Sequence, residues 1–282
     1  MIYTKIGLAI TFSPNGLALL KTTLRYQKLF NAGLCLIHVG KKNDISVSKM
    51  NELLKEAGIK EDSYELIWKE GDPAKTIISA AEERKVDLLI AGALEKESLV
   101  QYYIGSVARK LVREAHCSVL ILTHPTSDTK PFEKICVSVD YSESGEKTIK
   151  KAYQLALLEK AKELTLIREL KIPALAITVS DSGSSKETEK KREQWLDEEE
   201  KKLDSYVEEL NLKEIKVNTV SLYGKQGYEA NNYVSEHKGD LLVLPSPKRK
   251  MKFFDRIFQH DIEFILEEIP CALLINREYP KE

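Results

Sequence analysis

The chain has 282 residues, 43% of them hydrophobic and 31% charged, with a formal charge of −1; it is long enough for two domains and apolar enough for a real core, which excludes a disordered polypeptide. Residues 1–129 sum to +2 and residues 130–282 to −3, so neither half has the basic excess that grips phosphate backbones, and a general nucleic-acid binder is excluded. No run reaches the roughly 18 uninterrupted apolar residues of a membrane span and the N-terminus lacks a signal-peptide layout, so a cytoplasmic location without a membrane partner is expected.

In chain order, short apolar runs alternate with segments of helical period. Residues 6–10 read as the first strand, followed by Leu17, Leu20 and Leu24 at helical spacing. Residues 34–39 and 65–68 read as the second and third strands, and Ala74, Ile77, Ile78 and Ala81 mark a helix. Residues 87–91 read as the fourth strand, then Val107, Ala108, Leu111, Val112 and Ala115 mark the helix that leads into a fifth strand at 118–122. The strands are mostly apolar on consecutive residues, as a parallel sheet covered on both faces requires. The expected unit is an α/β, doubly wound, Rossmann-like domain with a five-stranded parallel sheet.

Residues 124–131 (HPTSDTKP) carry two prolines and small polar residues and read as a linker, which sets the expected domains at 1–126 and 127–282. Beyond the linker the plan repeats. KIGLAITFS (5–13) lines up with KICVSVDYS (134–142), LCLIHV (34–39) with LTLIRE (164–169), DLLIAG (87–92) with DLLVLP (240–245), and HCSVLIL (116–122) with PCALLIN (270–276). The offset grows from 129–130 to 153–154, so about 23 residues are inserted after the second strand of repeat two. That insertion reads as a long polar helix over 185–210 with one narrow apolar face, Trp195, Leu196, Leu203, Tyr206, Val207 and Leu210. It is either a surface helix packed on its own sheet or a helix that binds a partner.

Doubly wound sheets bind ligands at the carboxyl ends of their strands, near the point where strand order reverses. In repeat one that edge carries Thr11 and Ser13, then Val39, then the segment from Gly92. Gly105-Ser106 opens the helix 106–115 with Ser106 as the expected N-cap, and free N–H groups at a helix start attract anions. The spacing from Gly92 through position 95 to Gly105-Ser106 resembles the G-x2-G-x9-G-S/T phosphate and ribose loop of ATP-binding universal stress proteins. GDPAKTI (71–77), VDYS (139–142) and the two closing strands resemble other segments of that family, in the same order. The resemblance implies two tandem domains related by a pseudo-twofold axis, with their last strands adjacent, self-association into a homodimer, and an adenine nucleotide (ATP or AMP) held by Thr11, Ser13, Val39, Gly92, Lys96, Gly105, Ser106 and Asp140.

Each repeat departs from that pattern. Repeat one has Thr11 where nucleotide-binding members end the first strand in Asp, and Glu95 where the loop has its second glycine, although Lys96 follows as the family's basic residue does. Repeat two keeps Asp140, but its loop, PSPKRKMKFFDRIFQH (245–260), has no glycine, and Pro245 has no backbone donor. Gly92 and Gly105 equally suit plain turns, and Asp140 a turn or helix cap. The basic run around 248–256, interleaved with Phe253 and Phe254, fits a solvated loop or a surface for an anionic partner.

The five histidines show no metal-ligand spacing, and the four cysteines stand singly in or beside apolar runs as buried reduced thiols. No nucleophile elbow or Walker loop is present, so no metal and no catalysis are expected. The expected function is a stress-response protein that binds an adenine nucleotide in repeat one and signals through an unnamed protein partner. A nucleotide-free scaffold is the alternative, and a slow ATPase a weaker third reading.

Overall fold

The computed structural model describes residues 2–95, 102–123, 125–170, 185–224, 227–246, 265–266 and 269–278, with 94–95, 102–103 and 185–192 as backbone only. The chain divides into two compact units: residues 1–131 with 266–282, and residues 132–265.

Unit one contains β1 (Lys5–Ala9), α1 (Gly16–Phe30), β2 (Gly33–Val39), α2 (Asp44–Glu56), β3 (Glu65–Lys69), α3 (Pro73–Glu83) and β4 (Leu88–Gly92). A short ribbon, β5 (Leu94–Glu95) with β6 (Tyr102–Tyr103), then leads to α4 (Ser106–Glu114) and β7 (Ser118–Leu122). Five strands are parallel in the order β3, β2, β1, β4, β7, so the order reverses between β1 and β4. Ile6, Leu8, Leu36, Leu89 and Ile90 are all but fully buried, as strands covered on both faces must be.

Unit two contains β8 (Lys134–Ser138), α5 (Glu143–Glu159), β9 (Glu163–Leu170), α6 (Ser185–Leu210), β10 (Lys216–Tyr223), α7 (Tyr228–Glu236) and β11 (Leu241–Pro245). Its parallel strands run in the order β10, β9, β8, β11.

The internal repeat is visible in the backbone. Helices α1 and α5 both end on a left-handed residue, Asn31 (φ 50°) and Lys160 (φ 55°), each followed by an amide that reaches back across the last turn: Ala32 to Gln27, and Ala161 to Ala156. Lys85 (φ 52°) and Lys238 (φ 54°) follow α3 and α7 in the same way. Asp87 accepts the amides of Thr4 and Lys5 at 2.7 and 3.0 Å, and Asp240 accepts those of Glu133 and Lys134 at 2.9 and 2.8 Å, so each pins the start of its repeat's first strand.

The fifth strand of repeat two, β12 (Ala272–Asn276), belongs to unit one and pairs antiparallel with β7, Leu274 opposite Leu120. Arg277, just beyond β12, is 8% exposed and donates to the carbonyls of Ala115, Val112 and Arg113 at 2.6, 2.5 and 3.1 Å, where α4 ends. A cation bonded to orphan carbonyls at a helix C-terminus is stabilising. Arg277→Met removes those donors while keeping an apolar stem, and is expected to lower the unfolding free energy by about 2–3 kcal/mol. A urea melt with an unchanged midpoint would show that water replaces the guanidinium.

All four cysteines are buried free thiols. Burial pushes the Cys117 and Cys136 thiols up to about 12, which keeps them protonated and unreactive. No described helix is long and apolar enough to cross a membrane.

Candidate functional site

The reversal of strand order places the candidate site of repeat one between β1 and β4. Ala9 pairs with Ile37 and Leu8 with Ile90, so Thr11, Val39 and Gly92 leave the sheet within a residue or two of one level. Thr11 and Ser13 are exposed; the Thr11 hydroxyl donates to Ser13 Oγ at 3.1 Å, and the Ser13 carbonyl accepts the Gly16 amide. A Cβ at Gly16 would lie 2.6 Å from the Thr11 carbonyl oxygen, so the turn from β1 into α1 closes only over glycine. At Gly92 a Cβ would meet the Leu19 side chain at 3.3 Å, a close approach that lets α1 pack against the end of β4.

The ribbon joins Gly92 to Gly105. Leu94 pairs with Tyr103, and Gly92 and Gly105 each lie two residues outside that pair along the chain. Gly105, not Ser106, is the N-cap of α4; Ser106 is the first helical residue, because the extended backbone of Gly105 (φ −61°, ψ 163°) already turns the chain into the helix. That conformation is open to any residue, so backbone geometry does not call for glycine here. The first turn of α4 has no acidic residue, and its N-cap, a glycine, brings no side chain of its own to cap the helix. Lys96 and the basic segment 248–256 lie outside the described residues.

Gly71 (φ 133°) and Asp72 form the start of α3, where the Asp72 carboxylate accepts the Lys75 amide at 2.9 Å and lies 3.5 Å from Lys110 Nζ. The hydrogen bond from the Lys75 amide, with Lys110 beside it, holds the Asp72 carboxyl below the usual carboxylate range. The GDPAKTI segment is therefore occupied as a capped helix start.

Sequence reading missed an aromatic cluster at the ends of β1, β2 and β3. The Phe12 and His38 rings are 4.6 Å apart, His38 and Trp68 4.6 Å, and Phe12 and Trp68 6.4 Å. His38 Nδ1 donates to the Ile10 carbonyl at 3.0 Å, and the Trp68 indole to the Gly40 carbonyl at 2.8 Å, so the two inner rings are fixed. Phe12 is 38% exposed and faces solvent at the rim. One aromatic at each of three strand ends is the signal, readable only once the strand register is known.

The universal stress protein family model matches residues 2–123 and again residues 131–277. The chain belongs to the universal stress protein family. A universal stress protein of Methanocaldococcus jannaschii is 31% identical over 146 residues, 45% of this chain and 86% of that relative, so one repeat here spans most of a whole relative. Among solved structures, a putative universal stress protein from Pseudomonas aeruginosa has a TM-score of 0.71 over 98% of this chain and 94% of its own, at 18% identity. One from Archaeoglobus fulgidus has a TM-score of 0.61 over 96% and 98%, at 17% identity. The protein is thus a stress protein of the tandem type.

In the second universal stress domain the corresponding groups are already engaged. Asp140 Oδ1 accepts the amide and hydroxyl of Ser142 at 2.9 and 2.7 Å, and Ser142 caps α5 through the Gly145 amide at 3.0 Å. A Cβ at Gly145 would collide with Asp140, so the carboxylate is wedged into the turn. Glu169, aligned with Val39, is 6% exposed and accepts the amides of Gly227 and Ala230 at 2.8 and 2.9 Å, where α7 starts. β11 ends on Pro245, which has no amide to offer. These groups of repeat two are thus engaged within its own fold. Among the described residues no group of three or more His, Cys, Asp or Glu side chains could hold a metal ion.

Proposed function

We propose that this universal stress protein acts by binding, with a single adenine-nucleotide site in repeat one. The observation that carries the reading is the glycine N-cap of α4, which brings no capping side chain of its own. Gly105 stands there without a conformational need for glycine, two residues past the ribbon as Gly92 is two residues before it, and Gly92 ends β4, beside the reversal of strand order. A helix N-terminus at that place attracts phosphate. The starts of α5 and α7 are instead capped by Ser142 and Glu169. Thr11 and Ser13 would contribute hydroxyls, and the rim ring of Phe12 a flat apolar surface.

A nucleotide-free scaffold is the second reading, favoured by the consumption of Gly40. Its amide donates to Lys69 and its carbonyl accepts Trp68, so the backbone just past Val39 has no spare group to read a base edge. Mass spectrometry of the protein loaded with ATP, desalted and denatured, separates the two. Recovery of a single adenine nucleotide per chain is expected, and recovery of none leaves the scaffold.

A further inference from the structure

Repeat two carries its own occupant at the carboxyl ends of β8 and β9. Its Tyr141, Arg168 and Ser221 stand where repeat one has Phe12, His38 and Trp68. Helix α6 lies over these positions. It connects β9 to β10, as α2 connects β2 to β3, and has 26 residues where α2 has 13. One face of it, at helical spacing, presents Glu199, Lys202, Leu203 and Tyr206.

Each of those side chains has a defined seat. Arg168 Nε donates to Glu199 Oε1 at 2.9 Å, both side chains being largely shielded at 23% and 15% exposure, and Arg168 Nη1 donates to the Val139 carbonyl at 3.1 Å. The Tyr141 ring meets two cations, the Arg168 guanidinium at 4.9 Å and Lys202 Nζ at 4.2 Å, and Tyr206 edge-on at 5.2 Å. Leu203 is fully buried, and Asp204 accepts the Thr219 hydroxyl of β10 at 2.7 Å. Tyr141 holds this place in a left-handed conformation (φ 54°), which a bulky residue keeps only when its surroundings dictate it.

We infer that α6 is an autoinhibitory latch, an intramolecular ligand whose Glu199 carboxylate occupies the Arg168–Tyr141 pair and competes there with anion-bearing aromatic molecules. The inference does not depend on nucleotide binding in repeat one. Among the described side chains of α6 only Leu203 is fully buried, with Leu196, Val207 and Leu210 half-buried; the contacts over Tyr141 and Arg168 are charge, hydrogen bonds and ring edges. Such a contact weakens when one charge is removed or screened, whereas the sheet beneath it does not depend on it. Burial raises the Glu199 acid, but the Arg168 hydrogen bond, with Tyr141 and Lys202 beside it, more than offsets this and holds the carboxyl below its usual range. The charge pair is therefore intact at neutral pH. Once α6 lifts, a guanidinium and a phenol ring face solvent at the strand ends, a pairing suited to a phosphate joined to a flat ring.

Hydrogen exchange of the full-length protein, resolved by peptide, tests this. In Glu199→Gln, peptides within 193–210 should exchange about tenfold faster while those from β8 and β9 keep their protection. AMP should then slow exchange in peptides covering 137–145 and 166–170 of the variant, but not of the wild type; peptides of repeat one report any binding there separately. In the wild type, raising NaCl from about 0.05 to 1 M should accelerate α6 alone. The latch is overturned if α6 exchanges equally in wild type and variant, if protection falls across the whole unit, or if AMP leaves the opened variant unchanged.

Discussion

Gly105→Val is expected to abolish ATP and AMP binding, with a loss of at least about a hundredfold in affinity and an intact fold. At φ −61° and ψ 163° the backbone of Gly105 lies in a region valine adopts freely, so the substitution introduces no backbone strain. The buried face of α4, Ala108, Leu111 and Val112, is untouched. What changes is access: two methyl groups would stand at the N-cap, before the first amides of the helix. Excluding a phosphate from such donors removes several charge-assisted hydrogen bonds, and about 2.7 kcal/mol already corresponds to a hundredfold. Calorimetry gives the affinity and a thermal melt confirms the fold. Equal affinity in variant and wild type would remove Gly105 from the site.

The largest stability effect is expected in repeat two, from Glu169→Leu. The carboxylate is 6% exposed, and the two amides it accepts, those of Gly227 and Ala230, belong to buried residues at the start of α7. Leucine has a similar size but leaves both donors stranded away from water and the helix start without its negative partner. A loss of about 2–4 kcal/mol is expected. Glu169→Gln keeps a carbonyl oxygen in the same position and should recover at least half of it. Denaturant melts of the three proteins measure this. A leucine variant as stable as the wild type would show that α7 does not rely on Glu169.

Much of the fold is legible in the chain because burial on both faces of a parallel sheet forces uninterrupted apolar runs. DLLIAG and DLLVLP, or KIGLA and KICVS, announce both strands and repeat. The change of offset likewise reveals α6 at 185–210, the span the helix occupies. The resemblance implies adjacent last strands, and β12 does pair with β7 at 119–121; that this strand groups with unit one is not legible, because an apolar run fits many sheet edges. Ser106 was read as the cap because serine favours that position; the extended backbone of Gly105 moved the cap back by one residue.

The site was less legible than the fold, for a physical reason. Phe12, His38 and Trp68 are far apart in the chain and meet only through strand register, and Arg168 on β9 meets Glu199 only through the packing of α6. Asp140 was compatible with a ligand contact and with a turn, and the hydroxyl and amide of Ser142 account for its hydrogen-bonded oxygen. The anchoring role shared by Asp87 and Asp240 was within reach, since both open the same DLL run, but its partners lie across the sheet.

Titration of the full-length protein with ATP is the most direct measurement of how the two repeats divide the work. A single equivalent of ATP should bind the wild-type chain, and none should bind Gly105→Val. Two equivalents in the wild type, or undiminished binding in the variant, would contradict a lone site in repeat one.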